Sequence, residues 1–191
     1  SSDVCSSDLV KNGSRQYVQK IANKFKDKIS LNDGVKKVYQ NNQQQWVVES
    51  EKSQEVFDRV IIATHSDQAV AMLSNTNNLQ KDLLTNIKYQ ENLAILHKDY
   101  SVMPNAKKAW ASWVYSSNTK NSNNLSVSYW MNNLQNIDHH YPLFVTLNPN
   151  QEINSKDIFK KITYHHPVFD AKALKTQKQL SEIQGINNLF F

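Results

Sequence analysis

A chain of 191 residues with 39% hydrophobic content is long enough for one domain or one and a half, and has the apolar material to fill a core. The formal charge is +5, yet the lysines are dispersed and adjacent only at Lys36-Lys37, Lys107-Lys108 and Lys160-Lys161, the pattern of a solvated surface rather than of a nucleic-acid patch. No apolar run approaches the ~18 residues of a membrane span, no cationic stretch leads into an apolar one as a secretion signal would, and the single cysteine, Cys5, carries neither a disulfide nor a metal argument; the composition reads as that of a cytoplasmic protein.

In chain order, Ser1 to Leu9 fit no periodic element and read as a non-native leader of the kind a translated sequencing adapter leaves. Gly13 and Ser14 then open a helix predicted to run to Lys28, with Tyr17, Val18, Ile21, Ala22 and Phe25 at three- and four-residue intervals on a face ready to pack on a sheet. Short strands are predicted at Ile29-Ser30-Leu31, at 33–38 and at Trp46-Val47-Val48, the last two joined across the polar turn Gln40 to Gln45. The run Val60-Ile61-Ile62 is β-branched throughout, which suits a strand covered on both faces. It ends on Ala63-Thr64-His65-Ser66, and ligands of open α/β sheets sit beyond the carboxyl ends of such strands.

Two short helices follow, Asp67 to Leu73 and Asn78 to Ile87, and then a strand-rich region: 92–97, 110–115, 125–131, 143–147 and 162–165. The turns between these strands, rich in Asn, Ser and Pro, argue for an antiparallel meander. Asp170 caps a last helix predicted over Ala171 to Gln184, with Leu174, Leu180 and Ile183 inward and Gly185 as its stop. Ile186 to Phe191 completes the chain as a core strand.

This order of motifs resembles the FAD-dependent amine-oxidase-like flavoproteins, a branch of the two-dinucleotide-binding-domain oxidoreductases. Ile29-Ser30-Leu31-Asn32-Asp33-Gly34-Val35 is similar to that family's I-x-L-x-x-x-V segment, and Asp58-Arg59-Val60-Ile61-Ile62-Ala63-Thr64 to its D-x-V-I-x-A-T strand. The segments Tyr164 to Asp170 and Ile186 to Phe191 resemble a bacterial subgroup of NAD/FAD-binding amine oxidoreductases. The resemblance implies an α/β (α+β) fragment: part of a Rossmann-like FAD-binding domain over 10–75, an antiparallel substrate domain over 76–169, and a return to the first domain over 170–191. It implies that Val35 meets the adenine of FAD and that Ala63, Thr64 and His65 lie near the cofactor. The reaction it implies is removal of a hydride from an amine or another small apolar substrate to the flavin. The G-x-G-x-x-G turn of that family has no counterpart, because the only glycines are Gly13, Gly34 and Gly185. The expectation is therefore an internal fragment that neither retains FAD nor acts by itself.

Further site readings stay open. Trp110, Trp113 and Trp130, with Tyr115 and Tyr129, either line an apolar substrate chamber or pack across strands, and Trp110 and Trp113, three apart on a strand, point to opposite faces. His65 either donates a hydrogen bond to the cofactor or caps a turn, and Thr64 has the same two roles open. His139-His140 and His165-His166 diverge on strands and give no metal site. No G-x-S-x-G elbow and no convergent carboxylate pair is present, a silence that suits chemistry carried by a cofactor. The competing class is a basic module binding single-stranded nucleic acid through aromatics on a sheet; against it, neither Trp110–Tyr115 nor Leu125–Met131 holds a basic residue. Partners are thus expected to be a small-molecule substrate and no nucleic acid, with the oligomeric state unassigned.

Overall fold

The computed structural model describes residues 10, 13–74, 77–117 and 125–191, so the expected leader over 1–9 lies outside the described residues. The chain divides into two compact units, one of Ser30–Gln90 with His166–Phe191, the other of Glu91–His165 with the residues up to Ile29. The fold is mixed helix and sheet with antiparallel sheets, as expected.

In the first unit β1 (Val35–Gln40), β2 (Trp46–Ser50) and β3 (Gln54–Phe57) form an antiparallel sheet in that order, with Val38 opposite Val48 and Trp46 opposite Phe57. The β1–β2 turn closes because the Asn41 carboxamide oxygen accepts from the backbone N–H groups of Gln43 and Gln45, at 3.0 and 2.9 Å, and so replaces ladder partners locally. Next, β4 (Val60–Ile61) pairs in parallel with β10 (Leu189–Phe190). Val60 N–H donates to Asn188 O and Ile62 N–H to Phe190 O, so the end of the chain forms a strand beside the apolar run of residues 60–62.

Helices α2 (Ser66–Met72), α3 (Asn78–Thr85) and α5 (Ala171–Gln179) complete the unit. A reciprocal capping box between Asn77 and Gln80 starts α3, and the Asp170 carboxylate accepts from Ala173 N–H at 2.7 Å to start α5. The core joins Val38, Trp46, Ile62, Ala69, Leu73, Leu83, Leu84, Ile183 and Leu189. Trp46 also spends its indole N–H on Asn187 O, 2.7 Å away, so it fills the core without an orphaned donor.

The second unit carries a five-stranded sheet in the order β6-β7-β8-β5-β9, where β5 is Tyr89–His97, β6 Trp113–Ser117, β7 Leu125–Trp130, β8 Phe144–Leu147 and β9 Ile158–Pro167. The β6–β7, β7–β8 and β8–β5 pairs are antiparallel. A short helix, α4 (Met131–Gln135), leaves β7 and stops where Asn136 turns left-handed.

Several expectations need correction. The first helix, α1, spans only Arg15–Ala22, followed by a 3₁₀ turn at Lys26–Lys28, and buries none of its residues; Tyr17, Val18, Ile21 and Phe25 are all exposed. Ile29-Ser30-Leu31 is not a strand: Leu31 is exposed and Asn32 has a φ of 53°, which breaks an extended run. β4 is not covered on both faces, since Ile62 is buried while Ile61 is 74% exposed. Trp110 precedes β6 rather than belonging to it. The last helix ends at Gln179 and passes into a 3₁₀ turn through Ile183; Leu174, expected inward, is half exposed on the helix, whereas Ile183 is fully buried.

Candidate functional site

Three of the residues singled out above come together in the first unit. Val35 at the start of β1 and Ala63-Thr64 just past β4 line one concavity of about 300 Å³, together with Val38, Val48, Phe57, Val60, Ile61, Ile62 and Met72. Local structure explains the convergence. β1 is tied to the end of α2 by a parallel bridge between Val38 and Leu73 and by Ser74 N–H donating to Val38 O. The chain leaving β4 must pass the same sheet to enter α2.

The chemistry of that concavity is one-sided. Arg59 and Thr64 are its polar side chains, and the rest is aliphatic or aromatic. Such a slot suits a flat heteroaromatic ring or apolar side chains, with Arg59 and Thr64 as its polar contacts. A Cβ built on Gly13 or Gly34 meets nothing within 4 Å, so both glycines face open space. Gly185 has a φ of +74°, and a Cβ built on it would lie 3.2 Å from the Phe190 ring, so the turn before β10 takes a glycine there.

His65 is apart from this wall. Its ring stacks on Tyr89 at 4.3 Å between centroids, 14° from parallel, and makes no capping bond to α2. The Tyr89 hydroxyl instead accepts from Ser66 N–H at 2.9 Å and so covers a donor at the start of the helix. Thr64 donates its hydroxyl to His65 O.

The three tryptophans do not share a surface. Trp113 stands opposite Tyr129 on the sheet face that also carries Leu96, Val127, Val145 and Leu147, and it is 41% exposed. Trp130 stands opposite Phe144 on the other face, where Trp110 lies edge to face against both, with centroids 5.2 and 6.1 Å away. Trp110 is fixed further by its indole N–H, which donates to Pro104 O.

The two faces of this sheet invert the usual pattern. The well-buried side holds His97, Ser126, Ser128 and Thr146 beside Ile95 and Phe144, while the more exposed side is apolar and aromatic. The buried polar groups are bonded to one another: His97 Nε2 lies 2.8 Å from Thr146 Oγ1, which lies 2.9 Å from Ser128 Oγ. Burial lowers the His97 pKa from its ordinary value, against an opposing pull from the Asp99 and Asp157 carboxylates. For Asp99, burial pushes the pKa up but is outweighed by N–H donation from Asn154 and Ser101, leaving it below the ordinary carboxyl range. Asp138, fully exposed, is lowered by the N–H and imidazole of His140.

None of the buried set was singled out from the sequence, although the two-residue spacing of Ser126 and Ser128 is a legible sign of one face. Asn132 was missed as well. Its carboxamide donates to Asp138 O and Tyr141 O and accepts from Leu143 N–H, which organises the turn before β8.

No protein-family model matches this chain, and no curated protein matches its sequence. Solved structures do match. A CLA-producing fatty acid isomerase from P. acnes superposes with a TM-score of 0.65 at 9% identity, over 93% of this chain and 46% of that one. Reduced UDP-galactopyranose mutase gives 0.60 at 12% identity, over 93% and 45%. A putrescine oxidase variant redesigned in cofactor binding gives 0.52 at 10%, over 94% and 46%. The chain spans about half the length of the solved structures it matches, and over that part it shares their fold.

Proposed function

We propose that this chain is a section of an FAD-dependent oxidoreductase of the amine-oxidase-like class, with its cofactor site on the unit of Ser30–Gln90 and His166–Phe191 and its substrate face on the sheet of the other unit. The observation that carries the proposal is the meeting of Val35 with Ala63 and Thr64 on one apolar wall, since the strand motifs of the resembled family require those two spots to flank one adenine dinucleotide. In this reading the aliphatic side chains grip the adenine ring and exclude water from it. His65, held flat by Tyr89, lies one residue further from the ring, and Arg59 supplies positive charge at the rim. FAD, when bound, supplies the acceptor for a hydride. With no G-x-G-x-x-G turn among Gly13, Gly34 and Gly185, the phosphates in this reading are held by other groups.

The proposed substrate is small and apolar or an amine, received on the uncharged sheet face of Trp113, Tyr129 and Val127. Trp113 offers the open ring; Trp110 and Trp130 act from the opposite face by stiffening the sheet. That face fits a single-stranded nucleic acid less well, because its aromatics have no cation beside them on β6 or β7.

Flavin content tests the reading. The polypeptide that contains this section, purified through gel filtration, is expected to retain visible flavin absorption. Ala63→Trp fills the apolar slot from an exposed position and is expected to cut FAD affinity at least about tenfold with unchanged circular dichroism. A colourless protein that leaves added FAD spectrally unchanged rules the proposal out.

A further inference from the structure

The buried imidazole of His97 is used by no step above, and its surroundings give it a different task. His97 is fully buried at the end of β5. Its Nδ1 accepts from the backbone N–H of Asp99 at 3.2 Å, so in the neutral ring the proton sits on Nε2 and is donated to Thr146 Oγ1. Thr146 Oγ1 and Ser128 Oγ continue the chain. Every polar atom of the ring is thus committed, but only for the neutral form.

Asp99 is also the root of a loop. Its carboxylate accepts from Ser101 N–H and Asn154 N–H, both at 2.9 Å, and the segment it launches runs through Tyr100 to Trp110 around a cavity of about 370 Å³. Besides the Asp99 anchor, the loop rests on the sheet through Tyr100 and Trp110, which pack against the Phe144 ring. Phe144 stands opposite His97 in the β5–β8 register and stacks on its ring at 5.7 Å.

We propose that His97 is a proton-operated latch for the Asp99–Trp110 loop: the neutral imidazole fastens the Asp99 backbone to the sheet, and the imidazolium releases it and loosens the loop that lines this concavity. Protonation at Nδ1 sets two N–H groups face to face, so the bond to Asp99 has to part. The charged or titratable groups acting on the ring are the carboxylates of Asp99 on its own connection and Asp157 before β9; Lys98 pairs with Asp157 at 3.6 Å, and β7 and β8 present only hydroxyls and Phe144. Burial disfavours the cation, in line with the lowered pKa, and both carboxylates oppose it only in part.

Nuclear magnetic resonance on the whole chain tests this directly. Imidazole shifts follow the ionisation of His97 as the pH is lowered through and below the ordinary imidazole range, and amide exchange, corrected for its intrinsic pH dependence, follows the loop. The expected result is a loss of protection of at least about tenfold at Ser101 and Met103, with the midpoint of the imidazole and no change at Trp46 or Val47. His97→Asn places an amide oxygen near the Nδ1 position, keeps an acceptor for Asp99 and cannot titrate; its loop is expected to stay protected across the range. Loop protection that persists through the His97 titration overturns the proposal. So does a loop midpoint differing from that of the imidazole, an imidazole that stays neutral until global unfolding, or a His97→Asn loop that opens like the wild type. The wild-type comparison of midpoints stands even where the variant fails to fold.

Discussion

At the residue scale, the polar groups inside the second unit make the sharpest predictions, because a buried hydrogen-bonding group is costly to leave half-partnered. Asn132, 1% exposed, bonds two carbonyls and one N–H from within the fold. Asn132→Ala is expected to lower unfolding free energy by about 2–4 kcal/mol, read by denaturant titration. His97 adds a pH dependence with a definite sign. Its pKa is lowered in the folded chain, so below about 6.5 the unfolded chain takes up more protons than the folded one. Stability is complete above that pH and declines as the pH falls from there toward the lowered native value. Urea midpoints measured across that window are expected to fall on acidification in the wild type and to lose most of that slope in His97→Asn.

At the element scale, strand pairing and burial separate elements that the pattern of apolar residues made look alike. β10 and α1 both present regular apolar residues, yet Leu189 is 1% exposed and Ile21 is 53% exposed. Leu189→Ala is expected to cost about 2–5 kcal/mol, as for a filled core position. Ile21→Lys is expected to change stability by no more than about 0.5 kcal/mol, checked in the same chemical denaturation experiment. The N-cap of α5 falls between these: Asp170→Ala removes one bond to Ala173 N–H and is expected to cost about 1 kcal/mol.

At the scale of the whole molecule, the open features concentrate around β4. Parallel strands normally have both faces covered, yet among the described residues β4 pairs with β10 alone and leaves Ile61 in contact with solvent. The isolated 191-residue chain is accordingly expected not to hold stoichiometric FAD after gel filtration, even when supplied in excess. A titration with single-stranded nucleic acid across salt is expected to show no tight, steeply salt-dependent binding, for want of cations beside the sheet aromatics.

Much of this was legible in the chain itself, and the limit can be drawn at particular residues. Asp170, Asn41 and Gly185 determined their caps and turns locally, since a carboxylate, a carboxamide or an absent Cβ acts on backbone within a few residues. The hairpin of β1 and β2 and the alternation of Ser126 and Ser128 are likewise written in the order of residues. Only tertiary structure decided which apolar faces are buried: Val38 and Ile62 lie inside while Ile61, Val18 and Leu174 do not, although their local patterns differ little. It alone brought Val35 to Ala63 and Thr64, set Trp113 and Trp130 on opposite sheet faces, and turned His97 and Thr146 inward. The reason is physical: periodicity fixes which residues share a face, but burial depends on which other surface removes that face from water, and this is a property of distant segments.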